Sequence, residues 1–312
     1  MNRRKGTSAL FRTRAALHDQ TVIVTYRELA PTPELRGYVR AYFSFTPGGA
    51  PWCGRRAVIR QVQFTLEDSF CAPLIADGQT SLVFDLGATC HLGAGWTFGE
   101  PVQARAIGAL RRVGAPAGNS YAKTIGAYFE PGATSSVLHV PAAELTDHVV
   151  CLEEIWGSRG MRLAEDLAER DEAARVDRLE AVLLEQVRRF KPPRFRVDLL
   201  GLARWARAEP TSMTVERLSH AAGVSRQHLT RLFREAIGVS PKRYCRLARF
   251  RAGLAYAGAG TGMKWAEVAS ERGYADQSHM IAEFRELSSL TPEALATQKW
   301  FHPFILEAQS GI

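Results

Sequence analysis

Cysteine is scarce and unpatterned in this chain. The five residues, Cys53, Cys71, Cys90, Cys151 and Cys245, are odd in number, widely spaced and form no CxxC. A 312-residue chain with 46% hydrophobic residues does not need disulfide staples, so reduced thiols in the cytoplasm are expected. No apolar run approaches the length of a membrane span. The opening MNRRKGTSALFRTRAAL is basic but lacks the apolar core of a secretory signal. Residues 1–20 are expected to be a basic, disordered leader. Enzyme signatures are missing too: there is no GxSxG, HExxH or GxxxxGK[ST], so no catalytic residue is assigned. His91, His139 and His148 are too scattered to form a metal cluster, and no metal or cofactor is expected.

Acidic residues are in deficit, and the deficit is local. Against 40 Lys+Arg stand 32 Asp+Glu, a net charge of +8 with a pI near 9.5. Residues 201–300 carry 15 basic and 9 acidic residues, and residues 225–251 carry 8 basic residues against Glu235 alone. A solvated surface spreads such charge evenly; neutralising phosphates requires it in one place.

That basic stretch lies in a segment that repeats. Leu218–Pro241 reads LSHAAGVSRQHLTRLFREAIGVSP, and Val268–Pro292 reads VASERGYADQSHMIAEFRELSSLTP. Gly223 recurs as Gly273; after one inserted residue Ser225 matches Asp276, Leu229 matches Met280, and Phe233 matches Phe284. A period of this length marks one supersecondary unit used twice. Each copy has the parts of a helix-turn-helix: a glycine turn, an N-cap, and an apolar stripe pinning a second helix whose other face is polar. In the first copy Leu218, Ala222 and Val224 point inward, Ser225 caps, and Leu229, Leu232 and Phe233 form the stripe. Arg226, Gln227, Thr230, Arg231 and Arg234 remain outside, where Gln suits adenine edges and Arg suits guanine edges or phosphates.

Upstream, residues 21–187 read as a β-rich domain. TVIVTYREL and VQFTL alternate with period two, and further strand-length apolar runs are separated by Pro47-Gly48-Gly49, Asp77-Gly78 and Gly93-Ala94-Gly95. The period then becomes helical between Leu152 and Phe190, through Leu163, Leu167, Val176, Leu179, Leu183 and Val187. That stripe has two destinations, its own domain or a homodimer seam. Aromatic residues Tyr42, Phe43, Phe64, Phe84 and Trp96 suit either a core or a pocket, and Asp85 and Glu130 end strands. RRFKPPRFR, within 188–197, is the expected linker. An all-helical domain follows over 198–300, with a tail at 301–312. The fold class is α+β.

The carrying residues GVSRQHLTRLFREAIGVSPKRY, the helix through Arg246–Arg251, and VASERGYADQSHMIAEFRELSSLTP resemble the DNA-binding domain of AraC/XylS transcription regulators. The resemblance covers about a third of the chain. It implies two helix-turn-helix units joined by a long helix, with reading helices about one duplex turn, roughly 34 Å, apart. Carried over, the base-contacting residues are Gln227, Thr230 and Arg231, then Gln277, Ser278 and His279. Arg226, Arg234, Lys242 and Arg243 are the phosphate contacts. The second unit departs from the pattern. Ala282 stands in the place of Arg231, Ser289 in that of Gly238, and Leu295 in that of Tyr244. Glu283 stands in that of the inward Leu232, a substitution that costs stability unless the carboxylate reaches water or a cation. More loosely, ELRGYVRAYFSF, ADGQTSLVFDLG and the segment IGAYFEPGATSSVLHVPAAELTDHVVCLEEIWG are similar to an AraC-family N-terminal domain of unassigned ligand. That likeness implies a sensing domain, for which a cupin-like barrel is one architecture.

The partners so implied are double-stranded DNA, RNA polymerase for an activator, a small-molecule effector and a second copy of the chain. Two other classes make different demands. A non-specific architectural protein would bind any duplex equally. A DNA-repair methyl acceptor would need a four-cysteine zinc site, whose spacing is absent.

Overall fold

Period-two alternation becomes a sheet. In the computed structural model, which describes residues 22–48, 51–66, 80–86, 103–107, 124–189, 197–258, 264–288 and 290–297, seven strands lie side by side. They are β1 (Val22–Leu29), β2 (Val39–Pro47), β3 (Val58–Leu66), β4 (Ser81–Asp85), β5 (Gln103–Ile107), β6 (Thr124–Phe129) and β7 (Val149–Cys151). Their order is β3-β1-β2-β6-β4-β5-β7, with every pair antiparallel.

The register sends alternate residues to two faces. Leu29 pairs with Tyr42, Tyr42 with Ala127, and Ala127 with Leu82, all on one face. Tyr26 pairs with Phe45, and Phe43 with Gly126, on the other. There the Phe43 ring stacks on Tyr128 at 4.4 Å. Gly126 makes room for it, since a β-carbon would stand 2.2 Å from the Phe43 ring. Tyr26 donates to Glu28 Oε1 at 2.6 Å, and burial raises the Tyr26 phenol well above its ordinary pKa.

Helices cover the first face. α1 (Thr134–Leu138) and α2 (Ala142–Leu145) follow β6, and α3 (Leu152–Trp156), α4 (Ser158–Ala168) and α5 (Glu172–Arg189) follow β7. The stretch of helical period between Leu152 and Phe190 is thus three helices, with Gly157 at φ +60° closing α3 before α4 begins. Leu163, Leu167, Val176, Leu179 and Leu183 join Leu29, Tyr42, Leu82, Phe84 and Phe129 in one core, so the stripe packs on its own sheet. Arg27, fully buried on the same face, donates to Glu172 Oε2 at 2.7 Å and so fixes the start of α5. Leaving either charge unpaired there would be costly.

α5 continues through Arg189, and α6 (Leu199–Ala208) begins after Asp198, whose side chain caps Gly201 N–H. Positions 190–196 of the expected linker, the leader 1–20 and the tail 301–312 lie outside the described residues, as do Cys71, Cys90, His91, Trp96 and Ser289. The helical part continues with α7 (Val215–Ala222), α8 (Arg226–Ile237), α9 (Pro241–Gly258), α10 (Trp265–Glu271), α11 (Gln277–Ser288) and α12 (Pro292–Thr297). It has two cores. The first gathers Leu202, Leu218, Leu229, Phe233 and Tyr244; the second gathers Phe250, Val268, Tyr274, Met280, Phe284 and Leu295. α9 serves both, with Tyr244 and Cys245 in the first and Leu247, Phe250 and Leu254 in the second. No helix among the described residues is long and apolar enough to cross a membrane.

Candidate nucleic-acid interface

The internal repeat is visible bond by bond. In the first unit Gly223, at φ +63°, ends α7, and Val224 N–H returns to Ser219 O at 3.2 Å. Ser225 then accepts from His228 N–H at 3.2 Å and starts α8. In the second unit Gly273, at φ +74°, ends α10, and Tyr274 N–H returns to Ala269 O at 2.9 Å. Asp276 accepts from His279 N–H at 2.7 Å and starts α11. Positive φ at both turns is why glycine stands there, and the side-chain acceptor satisfies an otherwise orphaned donor.

Each second helix is then pinned from below. Leu229 and Phe233 are fully buried in α8, as are Met280 and Phe284 in α11. Arg226, Gln227, Arg231 and Arg234 are exposed on α8, and Gln277, Ser278, His279 and Ala282 are exposed on α11. Thr230 is half-buried and donates its hydroxyl to Arg226 O at 2.8 Å, leaving its oxygen lone pairs as acceptors. Arg231 Nη2 lies 3.3 Å from His228 Nδ1, an exposed contact between residues three apart on α8. Arg226 reaches Glu216 Oε1 at 2.7 Å, with both side chains largely in solvent. His279 Nδ1 accepts Ala275 N–H at 3.2 Å, which leaves the ring proton of the neutral imidazole on Nε2 as a donor.

Arg243 is placed differently from the other basic candidates. Lys242 is exposed, but Arg243 is 14% exposed and bonds Glu286 Oε1 at 2.7 Å. It belongs to a network absent from the sequence reading. Arg246 Nε donates to Glu283 Oε2 at 2.8 Å, its Nη1 to Glu286 Oε1 at 3.0 Å, and Arg249 Nη2 stands 3.6 Å from Glu283. Glu283, only 4% exposed, therefore finds the cations that make an inward carboxylate tolerable. Hydrogen bonds from Arg246 and then Arg243 hold the Glu286 carboxyl down at about 2. Its stabilising contribution is present above the ordinary carboxylate range and is lost as pH falls through that value. The signal was present in the spacing: Arg243, Arg246 and Arg249 recur every three residues on α9, as Glu283 and Glu286 do on α11. Between the two units lies a cleft of about 690 Å³, lined by Lys242, Arg246, Arg249, His279, Glu283 and Glu286 among others.

The first unit is also held from the sheet side. Thr146, just after α2, donates to Gly238 O at 2.8 Å, and Gly238 is the left-handed cap that ends α8. Glu130, at the end of β6, pairs with Arg204 of α6. Its carboxylate thus faces an arginine of the helical part. Burial pushes Cys245 up to about 11, while Cys53 and Cys151 are exposed and distant in the fold. Among the described residues no group of three His, Cys, Asp or Glu is placed to hold a metal ion.

Residues 218–298 match the family model described as Helix-turn-helix domain, and residues 27–151 match a Domain of unknown function (DUF6597). No curated protein matches the chain. Among solved structures, the chain is similar to the C-terminal domain of AraT, a response regulator from Geobacillus stearothermophilus. That match has 19% identity and a TM-score of 0.29 over 35% of this chain and 93% of that one. ToxT from Vibrio cholerae O395 is 9% identical with a TM-score of 0.38, over 89% of this chain and 96% of that one. Unsaturated fatty acid bound ToxT from strain SCE256 is 10% identical with a TM-score of 0.40, over 90% of this chain and 97% of that one.

Proposed function

We propose, with a DNA-binding transcription regulator carrying an AraC-type helix-turn-helix domain as the premise, that this chain reads a bipartite DNA site. α8 would lie in one major groove and α11 in the next. Gln227, Thr230 and Arg231 would meet bases in the first, and Gln277, Ser278 and His279 in the second. Arg226, Arg234 and Lys242 would meet phosphates, while Arg243 stays paired with Glu286. The observation that carries this reading is the matched pair of capped, polar-faced helices, each opening directly after a glycine turn.

Charge supports the same face. Eight basic residues between 225 and 251 against Glu235 supply salt-dependent attraction, and the N-termini of α8 and α11 add partial positive charge. Three of those eight, Arg243, Arg246 and Arg249, pair with Glu283 and Glu286, which offset two of their three charges. The salt dependence of binding should accordingly be shallower than the raw count implies.

The sheet domain is the regulatory part of this reading. It would bind a small molecule or a second copy of the chain and bias how α8 is presented, through Thr146–Gly238 and Glu130–Arg204. A ligand can do so only by preferring one arrangement of these contacts over another. The action would be activation through RNA polymerase, in the cytoplasm, with no catalytic step. Cutting the chain after residue 196 tests the regulatory part. The C-terminal fragment is expected to bind the same site but to lose regulated transcription in a reporter strain; full regulation by the fragment would contradict it.

A further inference from the structure

The second helix-turn-helix unit is bonded to the first at two separate places. One is its turn. At Gly273 a β-carbon would stand 2.6 Å from the backbone oxygen of Thr211, in the segment between α6 and α7, and Thr211 donates its hydroxyl to Glu271 O at 3.2 Å. The two backbones are therefore as close as glycine permits. The other place is the face of α11 turned toward α9. Arg243 meets Glu286, Arg246 meets both Glu286 and Glu283, and Arg249 meets Glu283, so the rungs run antiparallel between the helices. Arg249 also donates to Gly273 O at 3.3 Å, joining the ladder to the turn.

α9 is not a neutral strut. Its first turns carry Tyr244 into the core of the first unit, edge-on to Phe233 at 5.9 Å. A second reading helix tied to α9 is thus tied to the first reading helix. The nature of the tie matters. Apolar side chains slide over one another at small cost, whereas guanidinium–carboxylate bonds are directional, and a buried carboxylate that leaves its arginine is stranded. Glu283 occupies the position where the first unit has the apolar Leu232.

We infer that Glu283 and Glu286 are positioning residues which, through Arg243, Arg246 and Arg249, fix the spacing of DNA half-sites that the two reading helices accept. They touch no base. The inference rests on the proposed function and adds what sets the distance between its two readers.

The test uses the full chain and the duplex it selects from a random pool. Three versions are compared at one salt concentration: the selected site, the same site with one base pair inserted between its halves, and the site with its second half scrambled. One inserted pair turns the second half-site by roughly 34–36° relative to the first. For the wild type the insertion should weaken binding about tenfold or more, the scale of losing one or two base-pair contacts. For Glu286→Gln, and more so for Glu283→Gln/Glu286→Gln, that ratio should shrink at least about fivefold, again the scale of one base-pair contact. The scrambled site reports the first unit alone. Any uniform gain from released arginines appears there and cancels in the ratio. Urea unfolding checks the fold. Should the double variant not fold, Glu286→Gln decides, because its side chain is 41% exposed and its loss leaves the Glu283 pairs in place. Folded variants that keep the full wild-type insertion penalty overturn the inference, as does a wild type indifferent to the insertion. A wild type that selects a site but fails either ratio leaves the DNA-reading function standing; one that selects no sequence overturns both.

Discussion

Replacing Arg231 with alanine should lower the preference of the chain for its selected duplex over scrambled DNA by about 1–3 kcal/mol, roughly 5–150-fold. The reason is local. Arg231 is exposed on α8 one turn from Gln227, and its guanidinium can offer a base edge two donors. The same position in α11 is Ala282, which has no donor to offer. Gln277→Ala should therefore cost less than Arg231→Ala. Arg234→Ala is the useful contrast. As a phosphate contact it should weaken binding to all duplexes alike and reduce the salt slope by about one. Competition binding against a panel of duplexes distinguishes the two patterns. If Arg231→Ala leaves the ranking of sequences intact while Gln277→Ala abolishes it, the two units have been assigned in the wrong order.

Gly238→Ala should be the most damaging single-methyl substitution at the contact between sheet and helices. Gly238 ends α8 at φ +91°, where an L-residue costs roughly 1–2 kcal/mol. The new β-carbon would also stand 2.5 Å from Thr146 Oγ1 and 3.0 Å from Ala142 O. The backbone oxygen cannot rotate away, so α2 must withdraw from α8. The expected result is a total loss above about 2 kcal/mol in chemical unfolding together with loss of regulated transcription, since strain and separation add. Thr146→Val separates the two causes. It keeps the shape, removes one hydrogen bond, and should cost only about 1 kcal/mol. A Gly238→Ala protein with wild-type stability and wild-type regulation would show that this contact carries no signal.

The parts of the fold legible in the sequence are those encoded by near neighbours. Gly223 and Gly273, Ser225 and Asp276, and the Leu229–Phe233 and Met280–Phe284 stripes each act within one or two turns, and each stands as the repeat implied. The strand positions of Val24, Tyr26 and Phe45 follow from alternation, but strand order does not, because pairing is decided between segments far apart. The break at Gly157 was hidden by a helical period that continues on both sides of it.

Long-range polar contacts were the least legible. Arg27–Glu172, Arg204–Glu130 and Thr146–Gly238 join residues 145, 74 and 92 positions apart, and nothing local distinguishes these side chains from surface ones. Glu283 is the instructive intermediate. Its inward position was readable from the repeat, and with it the need for a cation. That Arg246 and Arg249 supply it depends on how α9 crosses α11. For the same reason Arg243 looked like any other basic residue near a reading helix, and only the fold pairs it with Glu286.

The central claim is that two matched reading helices on one basic domain select a bipartite sequence. Selection of bound duplexes from a random pool by the full chain, at fixed salt and over several rounds, tests it most directly. Two conserved blocks about one helical turn apart are expected, the block under α8 the more sharply defined because Gln227 and Arg231 lie there. Enrichment of no sequence, with equal affinity for every duplex at that salt, would contradict it.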